Sequence, residues 1–274
     1  MEKQQTGLQR FNQTITNPRT QDYLQSVLGE RKNSFVNNLT ALVANSTALQ
    51  ECDALGVMYA AIKATALDLP LDPNLGFAYV IPYKNNKTGK TDAQFQIGYK
   101  GYIQLGMRSG QFKTINVRDV REGEIIGEDF VSGELQFRKL PNREKATVIG
   151  YVAFFRLVNG FEKMSFWTTE EIKSHALKYS KTYSSKINTI KDASKWTTDF
   201  DAMAKKTAIK LLLSKYAPLS IEMQSAIKSD QAILSDKGEE YIDNPIEEIN
   251  AVEVDATAEV EQRRQQLQSP IDMP

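Results

Sequence analysis

The dipeptide Asn159-Gly160 separates two runs rich in aromatic and β-branched residues, 146–157 and 161–167. Asn-Gly readily takes the positive φ angles that a tight hairpin turn demands. The two runs are therefore predicted to be neighbouring antiparallel strands joined by a two-residue turn. A second hairpin is expected where residues 77–83 and 95–97 flank the turn-like Asn85-Asn86-Lys87-Thr88-Gly89. Strand-like runs also fall at 114–120 and 130–138, punctuated by Gly123, Gly127, Gly133 and Pro141-Asn142.

Helical spacing brackets this middle region. Phe35, Leu39, Leu42 and Val43 follow a capping Ser34. Asp53 can cap a helix through Leu55, Met58, Tyr59 and Ile62 that ends before Pro70. Thr168 and Glu171 form a capping box for a helix to about Lys178. Asp199 starts another, with Phe200, Met203, Thr207, Leu211 and Leu212 inward and Pro218 as its stop. A last helix is predicted over 221–234. Residues 1–32, polar with sparse apolar positions, read as a flexible or adaptable segment. Residues 236–274, acidic and poor in large apolar side chains, read as a disordered tail. The expected fold is α+β, a central, mainly antiparallel β-sheet packed with helices over residues 33–235.

Several chemistries lack their residues. Cys52 and His175 are the only cysteine and histidine, too few for a Cys/His zinc site or a disulfide. Thr88-Gly89-Lys90-Thr91 looks like the end of a P-loop, but the motif needs glycine at position 84, which is Lys84. No nucleotide, metal or other cofactor is expected. Asp68 and Asp72, with Glu122 or Glu124, make a metal-dependent nuclease the enzymatic alternative, although Asp-Pro and Leu-Pro also serve ordinary turns. No run approaches the roughly 18 apolar residues of a membrane helix, and residues 1–20 lack an apolar signal core. The expected location is cytoplasmic, with no membrane partner.

The net charge of zero conceals an asymmetry. Residues 84–118 hold seven basic residues against Asp92, and residues 173–215 hold ten lysines against three aspartates. Residues 222–274 hold thirteen acids against four basic residues. A basic body with an acidic tail points to a polyanion partner. Within 94–110, Lys100, Gln104 and Arg108 recur every four residues, beside Tyr99, Ile103 and Met107. On a helix these are a cationic and an apolar stripe, but the same residues also alternate as a strand would. Lys, Arg and Gln suit phosphates and sugars, while Tyr99 or Tyr102 suits base stacking. Gly98 and Gly101 allow close backbone approach. Lys113, Lys178, Lys181, Lys186, Lys191, Lys205, Lys206 and Lys210 extend the cationic set, with Tyr179, Tyr183 and Trp196 interleaved. Such lysines equally suit solvated helix faces. Lys206 and Lys210 share one face, from which Lys205 is turned by about 100°.

Residues 67–73 (LDLPLDP), 76–83 (GFAYVIPY), 96–102 (QIGYKGY) and 201–208 (DAMAKKTA) resemble the RecT family, in consistent order across about 35–220. The resemblance implies a non-enzymatic, ATP-independent protein that binds single-stranded DNA and pairs complementary strands through an annealed duplex intermediate. It also implies homo-oligomeric rings or helical filaments, a distant fold relationship to the lambda Red beta protein, and a 5′–3′ exonuclease partner in phage recombination modules. Lys100, Lys205 and Lys206 lie within the matching motifs, so the resemblance implies a DNA contact at each. A passive single-strand coating protein is the alternative binding function. The acidic tail would compete with DNA or dock host replication proteins.

Overall fold

The computed structural model describes residues 5–84, 89–180, 183, 195–236 and 238–241. Five helices open the chain: α1 (Gly7–Ile15), α2 (Pro18–Leu28), α3 (Lys32–Ala44), α4 (Thr47–Gln50) and α5 (Ala54–Ala66). The segment expected to be flexible or adaptable is thus largely helical from Gly7. A Thr6/Gln9 capping box starts α1, and Asn17 with Pro18 at the first helical position starts α2. Its few apolar residues sit one helical turn apart, which is enough to bury Phe11, Ile15, Leu24 and Leu28 in the common core. Helix α3 begins two residues before Ser34. Asp53 caps α5 as expected, accepting a hydrogen bond from the Gly56 N–H.

The sheets are antiparallel, but they are three separate sheets. Strands β1 (Ala78–Lys84) and β2 (Thr91–Ile97) form the expected hairpin. Next come α6 (Tyr99–Arg108), β3 (Phe112–Arg121), β4 (Ile125–Glu128), β5 (Leu135–Phe137), β6 (Val148–Leu157) and β7 (Glu162–Thr168). β3, β6 and β7 make a three-stranded sheet in that order, and β4–β5 is a hairpin of its own. The region 130–138 is mostly the turn of that hairpin. The Asp129 carboxylate accepts from the Val131 and Ser132 N–H groups and folds the chain back before a strand can form there. The β6–β7 hairpin is present, with a three-residue turn in place of two. Gly160 donates to the Leu157 carbonyl and adopts φ 91°, so the turn closes with a glycine bulge.

Helices α7 (Thr169–Tyr179), α8 (Lys195–Thr198), α9 (Phe200–Tyr216) and α10 (Ile221–Ser229) follow, then β8 (Ala232–Ser235) and β9 (Gly238–Tyr241). The Thr168/Glu171 capping box and the Asp199 cap stand where the sequence puts them. The helix predicted over 221–234 stops at Ser229. Asp230 is extended, Gln231 takes φ 70°, and the Gln231 N–H bonds to the Phe95 carbonyl, turning the chain into β8. β8 pairs with β2 and β9 with β8, giving the sheet β1-β2-β8-β9. The folded part therefore runs past Ser235 to Tyr241. The disorder expected for 242–274 lies outside the described residues.

Candidate nucleic-acid interface

The segment 94–110 is strand and then helix. β2 ends at Ile97, and α6 starts after Gly98. Its entry is pressed against the backbone that leads into β1: the Gly98 N–H donates to the Phe77 carbonyl at 2.9 Å. A Cβ on Gly98 would stand 2.2 Å from the Gly76 carbonyl oxygen, and one on Gly101 2.2 Å from that of Phe77. Backbone cannot step aside as a flexible side chain can, so both positions require glycine. The close approach the sequence allowed is therefore made.

Beside this junction the N-terminal end of α9 closes a cleft of about 340 Å³. Tyr79, Tyr99, Gln96 and Lys100 line one side, with Lys195, Asp199, Asp201 and Met203 opposite. Lys100 and Lys195 are exposed and form no ion pair with the described residues. Tyr79 and Tyr99 are half-buried. Burial first, then Asp199, then Tyr99 raise the Tyr79 phenol above its ordinary range, so it stays a neutral ring and hydrogen-bond donor at neutral pH. Lys205 sits at the rim, paired with Asp201 one turn earlier, its ammonium 5.9 Å from the centre of the Tyr99 ring. Asp201 is half-exposed, so this pair is weak and a phosphate can displace it. Cations at the rim and two aromatic faces are what a single strand requires: phosphates meet lysines while bases stack. Asp199 is already committed to the Ala202 N–H as a helix cap.

Three expected contacts need correction. Tyr102 is wholly buried in the core and has no face to offer a base. Lys206 is 5% exposed. It borders the cleft, but its ammonium donates to Asp230 Oδ1 at 2.8 Å. Lys210 reaches Asp230 Oδ2 at 3.2 Å, and the Ile97 N–H also donates to this carboxylate. Lys206 and Lys210 do share a face, as the helical spacing says, but that face looks into the protein. Burial would raise the Asp230 carboxyl, yet Lys206 and Lys210 outweigh it and hold it below its usual range. The Tyr102 hydroxyl lies beside this carboxylate without a hydrogen bond of good geometry. Burial first, then that charge, push its phenol far upward.

The remaining expected residues scatter. Gln104 is half-buried on α6. Arg108, at the far end of the helix, bonds to the Leu67 and Asp68 carbonyls and the Asp68 carboxylate, holding Asp68 at φ 51°. Lys113 is exposed at the start of β3, and Lys178 lies over the Tyr179 ring at the end of α7. Lys181, Lys186 and Lys191 fall outside the described residues. Trp196 is buried, in ring contact with Tyr183 and Phe200. Tyr79 was missed because a tyrosine in a strand looks like any inward-facing residue. Lys195 was one lysine among ten.

The carboxylates of the nuclease alternative do not assemble. Asp68 is held by Arg108, and Glu124 by Arg143 and the Arg121 N–H. Among the described residues no three His, Cys, Asp or Glu side chains come together as a metal-binding group. No described helix is long and apolar enough to cross a membrane.

The RecT family model matches residues 33–247, which takes in α3 through β9. The uncharacterized protein YqaK of Bacillus subtilis (strain 168) is 40% identical over 213 residues, 78% of this chain and 69% of that protein. Protein RecT of Escherichia coli (strain K12) is 32% identical over 224 residues, 79% of this chain and 78% of that protein. With the match covering most of the folded chain and both relatives aligned over most of their length, this chain belongs to the RecT family of DNA recombination and single-strand annealing proteins.

Proposed function

We propose that the protein anneals complementary DNA strands without ATP, as a homo-oligomer, and that the cleft between α6 and α9 is where a strand is held. The observation that carries this reading is that Lys100 and Lys195, which form no ion pair among the described residues, line one cleft with Tyr79 and Tyr99 on a RecT-family fold. Lysine neutralises phosphate without reading sequence, and an aromatic face stacks on any base, so base edges stay free to test a complement. Annealing needs no fuel, because duplex stacking contributes about 1.4 kcal/mol per step. The protein has to reduce repulsion between two strands, and an oligomer sums many weak contacts. In this proposal the protein acts in the bacterial cytoplasm as part of a phage-type recombination module, downstream of a 5′–3′ exonuclease that exposes single strands.

Binding of a labelled single strand is expected to be salt-sensitive, with the strand intact after incubation with magnesium. Shortening of the strand would favour the nuclease reading, and binding unaffected by salt would remove the phosphate contacts.

The acidic tail adds a second arm to that experiment. Residues 242–274 carry eight acids and two arginines. Tethered to the same chain as the basic cleft, such a segment competes with DNA at high effective concentration. Truncation must follow Tyr241, since β9 lies on β8 and Glu239 bonds to Lys63 and Ser229. The truncated protein is expected to bind single strands more tightly at low salt, with the difference shrinking as salt rises. Equal affinity at low salt would leave the tail to partner docking, of which host replication proteins are the proposed kind.

A further inference from the structure

The β4–β5 hairpin is an arm with a firm root and an exposed apolar tip. It leaves the three-stranded sheet between Arg121 and Val148. At its root Arg143 pairs with Glu124 at 2.6 Å and with Asp119 at 3.0 Å. Arg121 pairs with Asp119, and Arg138 donates to the Gly123 carbonyl. Burial would raise the Asp119 and Glu124 carboxyls, but the arginine contacts outweigh it and keep both ionised. The tip is equally set: Asp129 accepts from Val131 and Ser132 N–H groups, and the Gly133 N–H donates to the Asp129 carbonyl. On this fixed turn Phe130 is 98% exposed and Val131 94%. An apolar pair held outward by so many polar contacts is preorganised to dock.

The opposite end of the three-stranded sheet carries a second exposed apolar feature, where Phe161 also touches the Phe155 ring. β3 spans ten residues, about 33 Å of extended chain. At its start Phe112 pairs with Leu157, and the Val158 N–H bonds to the Gln111 carbonyl. Here the β6–β7 turn exposes Val158 at 68% and Phe161 at 47%. Tyr216 adjoins, with Lys163 and Lys215 each 5.4 Å from its ring centre. Charges match across the two ends. The tip segment 127–134 has three acids, Glu128, Asp129 and Glu134, and no basic residue. The far end has Lys113, Arg156, Lys163 and Lys215 against Glu162.

We infer that the arm of one copy of this chain docks by Phe130 and Val131 on the Val158–Phe161 turn of a second copy. The contact rests on the self-assembly proposed above and specifies its geometry. Because donor and acceptor are different patches, one on the hairpin rooted at one end of the β3-β6-β7 sheet and one on the turn at its other end, the contact is head-to-tail. Each copy then offers one free arm and one free turn, and growth continues until a ring closes or a filament extends. DNA is the poorer occupant of the tip, since three carboxylates beside it repel phosphates.

The test uses the full chain with Phe130→Ser and Val131→Ser as the arm variant and Val158→Glu as the turn variant, each checked for native circular dichroism and melting temperature. Sedimentation velocity is run with and without a single-stranded oligonucleotide. Each variant alone is expected at the mass of one 30.9 kDa chain, while the wild type assembles. An equimolar mixture of the two variants keeps one good arm and one good turn, so it is expected to form a dimer and stop there. Wild-type assembly by the arm variant would overturn the contact while leaving self-assembly intact. Failure of the mixture to dimerise would overturn its head-to-tail form. A monomeric wild type under all conditions would remove the self-assembly reading itself. An arm variant that assembles normally yet loses DNA would reassign the tip to DNA.

Discussion

Replacing Asp230 with Ala is expected to destabilise the protein by about 3–5 kcal/mol, a large fraction of the roughly 5–15 kcal/mol that holds a typical domain together. The substitution takes the Asp230 carboxylate away from the buried Lys206 ammonium and removes the acceptor of the Ile97 N–H, where α9, α10 and the end of β2 meet. Asp230→Asn keeps the shape and an acceptor but not the charge, so it falls between Ala and wild type. Urea unfolding measures both, and a loss below about 1 kcal/mol for Ala would refute the structural role. The pH dependence has a definite sign. The folded carboxyl titrates below its unfolded value, so its contribution is complete above about pH 4 and fades as pH falls through the folded value. In wild-type protein the linkage therefore leaves stability flat across neutral pH and appears only in acid.

Lys100→Ala combined with Lys205→Ala is expected to do the reverse: leave unfolding unchanged and weaken single-strand binding. Lys100 is exposed, and Lys205, though its side chain is 17% exposed, pairs only with the half-exposed Asp201, so the two together contribute at most about 1 kcal/mol to the fold. Two lost phosphate contacts flatten the dependence of log affinity on log salt by about 1.4, at roughly 0.7 per single-strand contact. The loss should be alike for strands of different sequence, because phosphate carries no base identity. Wild-type affinity and slope in a folded double variant would remove this cleft from the DNA path. Lys206→Ala is no substitute for either lysine, since it strikes the Asp230 cluster and reports on folding.

Much of this architecture was legible because its signals are local. Asp53, Thr168 and Asp199 each act on a backbone N–H three residues away, and Asn159-Gly160 closes its own hairpin. What escaped depends on partners far along the chain. Lys206 looks like any surface lysine until Asp230, 24 residues on, is brought against it. Tyr99 and Tyr102 stand about 60° apart around one helix, a difference that spacing alone could not rank. One faces the cleft and the other fills the core. The division into three sheets and the turn at Gln231 likewise follow from tertiary contacts, as does the helical N-terminal segment, whose four buried apolar residues acquire their role only against the rest of the core.

Annealing itself is measured by mixing the protein with two labelled complementary oligonucleotides, with no nucleotide and no divalent metal, and following duplex formation over time. The expected result is annealing well above the protein-free rate, suppressed by added salt and reduced in the Lys100→Ala, Lys205→Ala double variant. A strict requirement for ATP would contradict the account, as would a protein that binds both strands yet leaves their annealing rate unchanged.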